Sequence, residues 1–314
     1  MDIDIDVVIF RKEGKGMNVA VLIFGYNRPE KLSATINSLL NNEGYDQLKV
    51  HTFVFIDSCR SPDGYHLVEK TFNVAREVLP DAHVHLRESN FGLKKSIVSG
   101  ISYVFSNLHY DAAIVIEDDL ELDKRFINYM CTALNEYKDI ENVYQVSGFR
   151  YTDDRLGDCQ FLDITTSWGW ATWRKRWHGF DIADDSILKG LGLYKDNYKF
   201  SFPYTRMASK ELAREISSWA IRWHFFVQRR RGLVLYPNIS LVNNRGFDGS
   251  GTHSGNYATS LFGCRYKATS FVLGEMPKNI CLDKKYKMEL ISKFRFGTIM
   301  FLFSRLILRL GWKS

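Results

Sequence analysis

Three adjacent carboxylates, Glu117, Asp118 and Asp119, close the apolar run in IVIEDDLELD. Like charges so close repel one another, and the ionised triplet needs something positive beside it. Hard carboxylate oxygens suit Mg2+ or Mn2+, ions that keep coordination positions for water and phosphate. A dication held there can grip a diphosphate and make a nucleoside diphosphate a better leaving group. A plainer reading is that Asp118 or Asp119 caps the helix that follows.

Further candidates follow other apolar runs. Gly25-Tyr26-Asn27-Arg28 comes after VAVLIF, Asp57-Ser58 after TFVFI, and Asn90 stands before Phe91-Gly92. Arg28 offers a forked cation, and Asp57 an acceptor for a base N–H or a ribose hydroxyl. Each also has a structural use, in ion pairing or in turn formation. The glycine-rich stretch LVNNRGFDGSGTHSG carries Asp248, Thr252 and His253. Glycine lets backbone N–H groups approach a phosphate, and His253 can bind a cation or donate to a phosphate oxygen. Trp168, Trp170, Trp173 and Trp177 crowd one short stretch. Trp168 or Trp170 could stack on a sugar ring while the others build core.

The elements that position these residues are legible from periodicity. Val19 to Phe24, Thr52 to Ile56, His83 to Leu86 and the run AAIVI read as strands. Between them lie helical patterns: Leu32, Ile36, Leu39 and Leu40; Val68, Phe72, Ala75 and Leu79; Ile97, Ile101, Val104, Phe105 and Leu108. A fourth, with Phe126, Met130, Ala133 and Leu134, follows the triplet. Strands apolar on both faces, alternating with amphipathic helices, predict an α/β domain with a mainly parallel sheet covered on both sides. Ligands of such a sheet bind beyond the carboxyl ends of its strands, where the candidates fall. A G-x-G-x-x-G turn and a Walker A lysine are both missing, which disfavours a dinucleotide or an ATP-hydrolysing site. After residue 150 the alternation stops. Leu212, Ile216, Trp219, Ala220 and Trp223 predict one helical stripe, ended by Gly232 before the strand LVLYP.

Composition excludes other classes. The chain of 314 residues is 45% hydrophobic and 14% aromatic, enough for a large core. Its net charge of +6 comes from 42 basic against 36 acidic residues, a modest excess that points to no nucleic-acid partner. Cys59, Cys131, Cys159, Cys264 and Cys281 are odd in number and scattered, a pattern suited to a reducing compartment. The first residues, MDIDIDVVIF, are acidic and alternating, unlike a secretory signal. At the other end, residues 291–314 are strongly apolar but interrupted by Arg295, Arg305 and Arg309. The uncharged run from Phe296 to Ser304 falls short of the roughly 20 residues that span a bilayer. On a helix, Arg305, Arg309 and Lys313 form a cationic stripe beside an apolar face, as in helices that lie on a membrane surface. Packing of this tail on the protein's own core is the alternative.

The order of VLIFGYNRPEKLSATINSLL, FVFIDSC, NFGLKKSIVSGISYVF and IVIEDDLELDKRFINYM resembles glycosyltransferases of the GT-A fold, family 2-like, over residues 19 to 255. At the triplet it is similar to the N-acetylglucosaminyltransferase I type, with its Glu-Asp-Asp motif. The resemblance implies a GT-A (Rossmann-like) fold and a metal-dependent transfer of a sugar, from a UDP-sugar or related donor, to an acceptor hydroxyl. It implies that Tyr26, Arg28, Asp57, Asn90, Glu117, Asp118 and Thr252 bind the nucleotide-sugar, and that Asp119 and His253 hold Mn2+ or Mg2+. Trp168 and Trp170 are expected on the acceptor side. The expected organisation is an N-terminal extension (1–18), a nucleotide-sugar half (19–150), an acceptor half of the same domain (151–290) and an amphipathic tail (291–314). Inverting transfer needs a base, and the resemblance places an acid where this chain has Ala220 and Ile221. Asp248 is the first substitute, with Asp181 behind it; a donor binder without turnover is the alternative. The expected setting is assembly of a bacterial surface polysaccharide at the cytosolic face of the plasma membrane, on a glycan or lipid-linked glycan acceptor.

Overall fold

The computed structural model describes residues 17–46, 50–151, 158–189, 202–246 and 274–293. The extension before residue 17, the loop bearing Asp248, Thr252 and His253, Cys264, and the tail from residue 294 lie outside these.

The expected alternation is present. β1 (Val19–Gly25), α1 (Pro29–Leu40), β2 (His51–Ile56), α2 (Tyr65–Val78), β3 (His83–Leu86), α3 (Gly92–Ser106) and β4 (Ala112–Glu117) follow in chain order. β5 (Leu120–Leu122), α4 (Phe126–Glu136), β6 (Val143–Ser147), β7 (Gln160–Leu162) and β8 (Trp170–Trp173) come next. The short helices α5 (Arg174–Trp177) and α6 (Ser186–Lys189) precede α7 (Phe202–Leu212), α8 (Trp219–Arg229), β9 (Leu233–Tyr236) and β10 (Val242–Asn244). The main sheet runs β3-β2-β1-β4-β8-β6-β9-β7, and β5 pairs with β10 in a separate ribbon. Only β8 and β7 run against the others, so the sheet is mainly parallel.

Alternate residues of the central strands serve the two faces. Val19, Val21 and Ile23 of β1 join Ile114 and Ile116 of β4 against Leu32, Ile36 and Leu39 of α1. Ala20, Leu22 and Phe24 point the other way, toward Ile97 and Ile101 of α3, Trp170 of β8, and Trp219 and Trp223 of α8. Both faces are dry, which is why the strands read as unbroken apolar runs. β3 is the exception: it lies at the margin, and His83 and Leu86 are exposed. The opposite margin, β7, is covered. Leu282 bridges to Phe161 of β7, and Tyr286 and Leu290, in a helical stretch over 284–293, pack on Leu162, Val234 and Tyr236.

Two expectations are corrected. The single stripe from Leu212 to Trp223 is two helices. Arg214 turns left-handed (φ 60°), and the Ser218 hydroxyl caps α8 by accepting from Ile221 N at 3.3 Å. A serine N-cap with a free-standing donor to satisfy outweighs apolar spacing that merely continues. Neither Asp118 nor Asp119 caps a helix: the chain enters β5 first, and at the start of α4 the donors go to Asp123 and to Asn42 Oδ1, 2.8 Å from Ile127 N.

Candidate functional site

The carboxyl ends of β1, β2 and β4 lie side by side because those strands pair in parallel, with Phe24 opposite Glu117 and Gly25 opposite Ile56. Tyr26 to Arg28, Asp57 and the acidic triplet are thereby brought to one edge. Arg28 ends the turn into α1, with Pro29 fixing the first helical position. Its guanidinium forks onto both oxygens of Asp118, with Nε at 3.2 Å from Oδ2, and reaches Asp119 Oδ2 through Nη1 at 3.0 Å. Asp118 is buried, and the Thr35 hydroxyl donates to its carbonyl at 2.8 Å. The positive partner the triplet requires is therefore an arginine supplied by the preceding β-α unit.

That arginine does not neutralise everything. Burial, then Asp119 and Asp118, push the Glu117 carboxyl up to about 8, with Arg28 opposing. Burial likewise carries Asp118 up to about 6, outweighing its pairing with Arg28. Burial alone would lower the Arg28 pKa, but Asp118 and Asp119 hold it above its ordinary value. Among the described residues no hydrogen bond reaches the Glu117 carboxylate or Asp119 Oδ1, and no three His, Cys, Asp or Glu side chains form a metal cage. One carboxylate with a free hard oxygen suits a Mg2+ or Mn2+ ion whose other ligands are phosphate and water. The donor set fits an ion carried with a diphosphate.

Asp57 is differently employed. Its Oδ1 accepts from Ser58 N at 3.0 Å and Phe91 N at 2.8 Å; its Oδ2 accepts from Gly92 N at 2.8 Å and Asn90 Nδ2 at 3.1 Å. The carboxylate thus satisfies orphan N–H groups at the start of α3 and complements that helix's positive end. Asn90 also donates to the Ser58 carbonyl at 2.6 Å. Both residues stand beside the site, with their polar atoms tying β2 to α3. Tyr26 Oη accepts from Arg60 N at 3.4 Å, next to an open depression of about 470 Å³ lined by Cys59, Arg60, Ser61, Pro62 and Tyr65.

The ribbon β5-β10 brings a further segment to the triplet. Arg245 N donates to the Asp119 carbonyl at 2.8 Å, and the Arg245 guanidinium pairs with Glu121 at 2.6 Å. A Cβ at Gly246 would fall on the Asp119 carboxylate, so any side chain there would have to displace it. The stem of the glycine-rich loop therefore ends against Asp119. Its predicted residues Asp248, Thr252 and His253 lie outside the described residues.

The two tryptophans part company. Trp168 is half-buried, edge-on to Phe149 with centroids 4.5 Å apart, and leaves β8 at the same end as Glu117. Gly169 beside it has φ 56°. Trp170 is 0% exposed and stacks on Trp219 at 5.2 Å, so the expectation of an acceptor contact there is corrected: it has no open face. At the start of α8, Ala220 is half-buried and Ile221 buried. Nearby acids are engaged. Glu211 accepts from Lys94 Nζ at 2.5 Å, Arg222 Nε at 2.8 Å and Ser218 N at 2.7 Å, and Asp185 pairs with Arg222 and Arg214. Asp181 caps an exposed turn by accepting from Ala183 N. Sequence reasoning missed this charged cluster, since no motif links positions 94, 211 and 222. It also missed Thr35, although helical spacing from Leu32 and Ile36 placed it near the sheet.

Comparison with known families matches residues 17–174, half of the chain, to "Glycosyltransferase like family 2". No curated protein sequence matches the chain. Among solved structures, the mannosyltransferase PcManGT from Pyrobaculum calidifontis, in complex with GDP-Man and Mn2+, is similar at TM-score 0.41 and 12% identity over 69% of each chain. S. aureus TarS is similar at TM-score 0.38 and 15% identity, over 53% of this chain and 30% of its own. Glucosyl-3-phosphoglycerate synthase from Mycobacterium tuberculosis, in complex with Mn2+, UDP and glucosyl-3-phosphoglycerate, is similar at TM-score 0.36 and 15% identity, over 51% of this chain and 58% of its own. The chain thus spans less than two thirds of the latter two. Likenesses at this level add no weight to the family match.

Proposed function

Because the chain belongs to the glycosyltransferase-like family 2, we propose that it moves a hexose from a nucleoside diphosphate sugar, a UDP-sugar in the first instance, to an acceptor hydroxyl. The observation that carries this reading is the acidic triplet at the carboxyl end of central β4, bound to Arg28 from the end of neighbouring β1.

In this reading Asp119 holds Mn2+ or Mg2+ through its open oxygen, together with His253. The ion, when bound, supplies charge to a diphosphate and makes it a better leaving group. Asp118 keeps Arg28 in place beside it. Tyr26, Arg28, Asp57, Asn90, Glu117 and Thr252 line or frame the nucleotide-sugar side, and Trp168 offers an apolar edge to the acceptor. Asp248, in the loop whose stem meets Asp119, is the proposed base, taking the acceptor proton as the hydroxyl attacks with inversion. The tail over 291–314, with its cationic stripe, would rest on an anionic membrane, placing the enzyme at the inner face of the plasma membrane for bacterial surface polysaccharide assembly on a glycan or lipid-linked glycan. Among the described residues no helix is long and apolar enough to cross a membrane.

A set of UDP- and GDP-sugars with Mn2+ is to be screened for nucleoside diphosphate release, with Asp119→Ala alongside. Metal-dependent release that D119A abolishes is the expected result, and undiminished turnover by D119A sinks the reading. The start of α8 favours a second one. Ala220 and Ile221 carry no acid, and Glu211 and Asp185 are spent on ion pairs. A donor-binding protein without turnover would bind a UDP-sugar and release nothing, even with acceptors supplied.

A further inference from the structure

We infer that Arg28 is a positioning residue that competes with a dication for Asp119 and reserves Asp118 from ligating it. This depends on the reading that a dication binds at the triplet.

The guanidinium uses all three of its nitrogens on this corner: Nε and Nη2 on Asp118, Nη1 on Asp119. Asp118 is closed to a metal, being 2% exposed with both oxygens forked by Arg28. Asp119 is held by one hydrogen bond at 3.0 Å, and its Oδ1 has no partner among the described residues. The two contacts differ in strength, since a forked pair on a buried carboxylate outlasts a single bond on a partly exposed one. An ion on Asp119 would stand beside the guanidinium, and like charges that near repel. The Arg28–Asp119 bond is then the one that yields, while the Asp118 fork keeps the arginine from leaving. Asp118 and Asp119 against one guanidinium still leave a net negative corner for a dication, but at reduced affinity. Metal alone binds weakly; a diphosphate, whose negative charge both cations favour, makes the pair compatible. Arg28 so couples metal retention to donor binding.

The test uses Mn2+ alone, titrated into the full chain and followed by the EPR signal of free Mn2+, without any nucleotide. Arg28→Gln is expected to bind Mn2+ about tenfold more tightly than wild type, the effect of removing one adjacent like charge. R28K should fall between them, because an ammonium lacks the fork, and Asp119→Asn should bind more weakly than wild type. Methylguanidinium added to R28Q should return its affinity toward that of wild type. A folded R28Q with wild-type or weaker Mn2+ affinity overturns the inference; where R28Q does not fold, wild-type affinity in R28K does so. Turnover does not enter the measurement, so a protein that transfers no sugar leaves the inference standing. Absence of Mn2+ binding in every variant overturns it together with the metal reading of Asp119, whereas Mn2+ binding that R28Q does not tighten overturns the inference alone.

Discussion

Asp57 shows how a strand-end carboxylate can be committed to the protein itself. Four donors converge on it, three of them backbone N–H groups, and truncation leaves those donors to find water in a half-buried corner. Asp57→Ala should lower stability by about 2 kcal/mol, as loss of a helix cap with buried donors does. Urea denaturation checks this, and a change under about 0.5 kcal/mol, the range of neutral surface substitutions, would refute the capping role. The residue's place was legible, because a polar residue after TFVFI must emerge at a strand end. Its partners were not, since Phe91 and Gly92 lie some thirty positions away and meet it only when β2 pairs with β3. Arg28 and the triplet tell the same story over a longer separation. The need for a cation followed from charge alone, but its identity followed from β1 lying against β4.

At the scale of elements, α7 and α8 are joined through charge as well as packing. Arg222, 0% exposed, relies on Glu211 and Asp185, while Glu211 also binds Lys94 of α3. Burial would raise the Glu211 pKa, yet Lys94 and Arg222 hold it below the ordinary value. Glu211→Ala should cost about 3 kcal/mol or more by stranding a buried guanidinium, whereas the double change E211M/R222M should cost less than the single one. A double-mutant cycle in denaturant decides it; strictly additive losses would deny the coupling. The strands and helices of the first half were readable because both faces of each strand are dry. The break between α7 and α8 was not, because Ile216 kept the apolar rhythm going through residues that the Ser218 cap and the left-handed Arg214 take out of the helix.

For the molecule as a whole, acid acts in opposing senses, and His224 carries a destabilising one. Burial, then Lys287, push this imidazole down to about 3. It stacks on Tyr204 at 4.2 Å, and its Nδ1 accepts from the Thr165 hydroxyl at 3.2 Å. The unfolded chain takes up a proton near 6.5 that the fold refuses, so stability present above 6.5 declines as pH falls toward 3. The slope reaches at most about 1.4 kcal/mol per pH unit. Glu211, with its depressed value, adds to the loss only below the ordinary glutamate range. Glu117 and Asp118 act the other way over pH 7 to 5, since their raised values let the fold hold protons that the unfolded chain has released. Denaturant midpoints should therefore fall more, or rise less, in wild type than in His224→Gln over that range; equal slopes would exclude this histidine as a contributor.

The bridge from Leu282 to Phe161 has a practical corollary. A sheet's outermost backbone can recruit a stranger's strand wherever it lies bare. Here residues 274–293 act as a hem along β7, so among the described residues the bare selvage of the main sheet is β3. Anyone shortening this polypeptide for crystallisation should keep residues 274–293, or the trimmed molecules will knit to each other along the exposed seam.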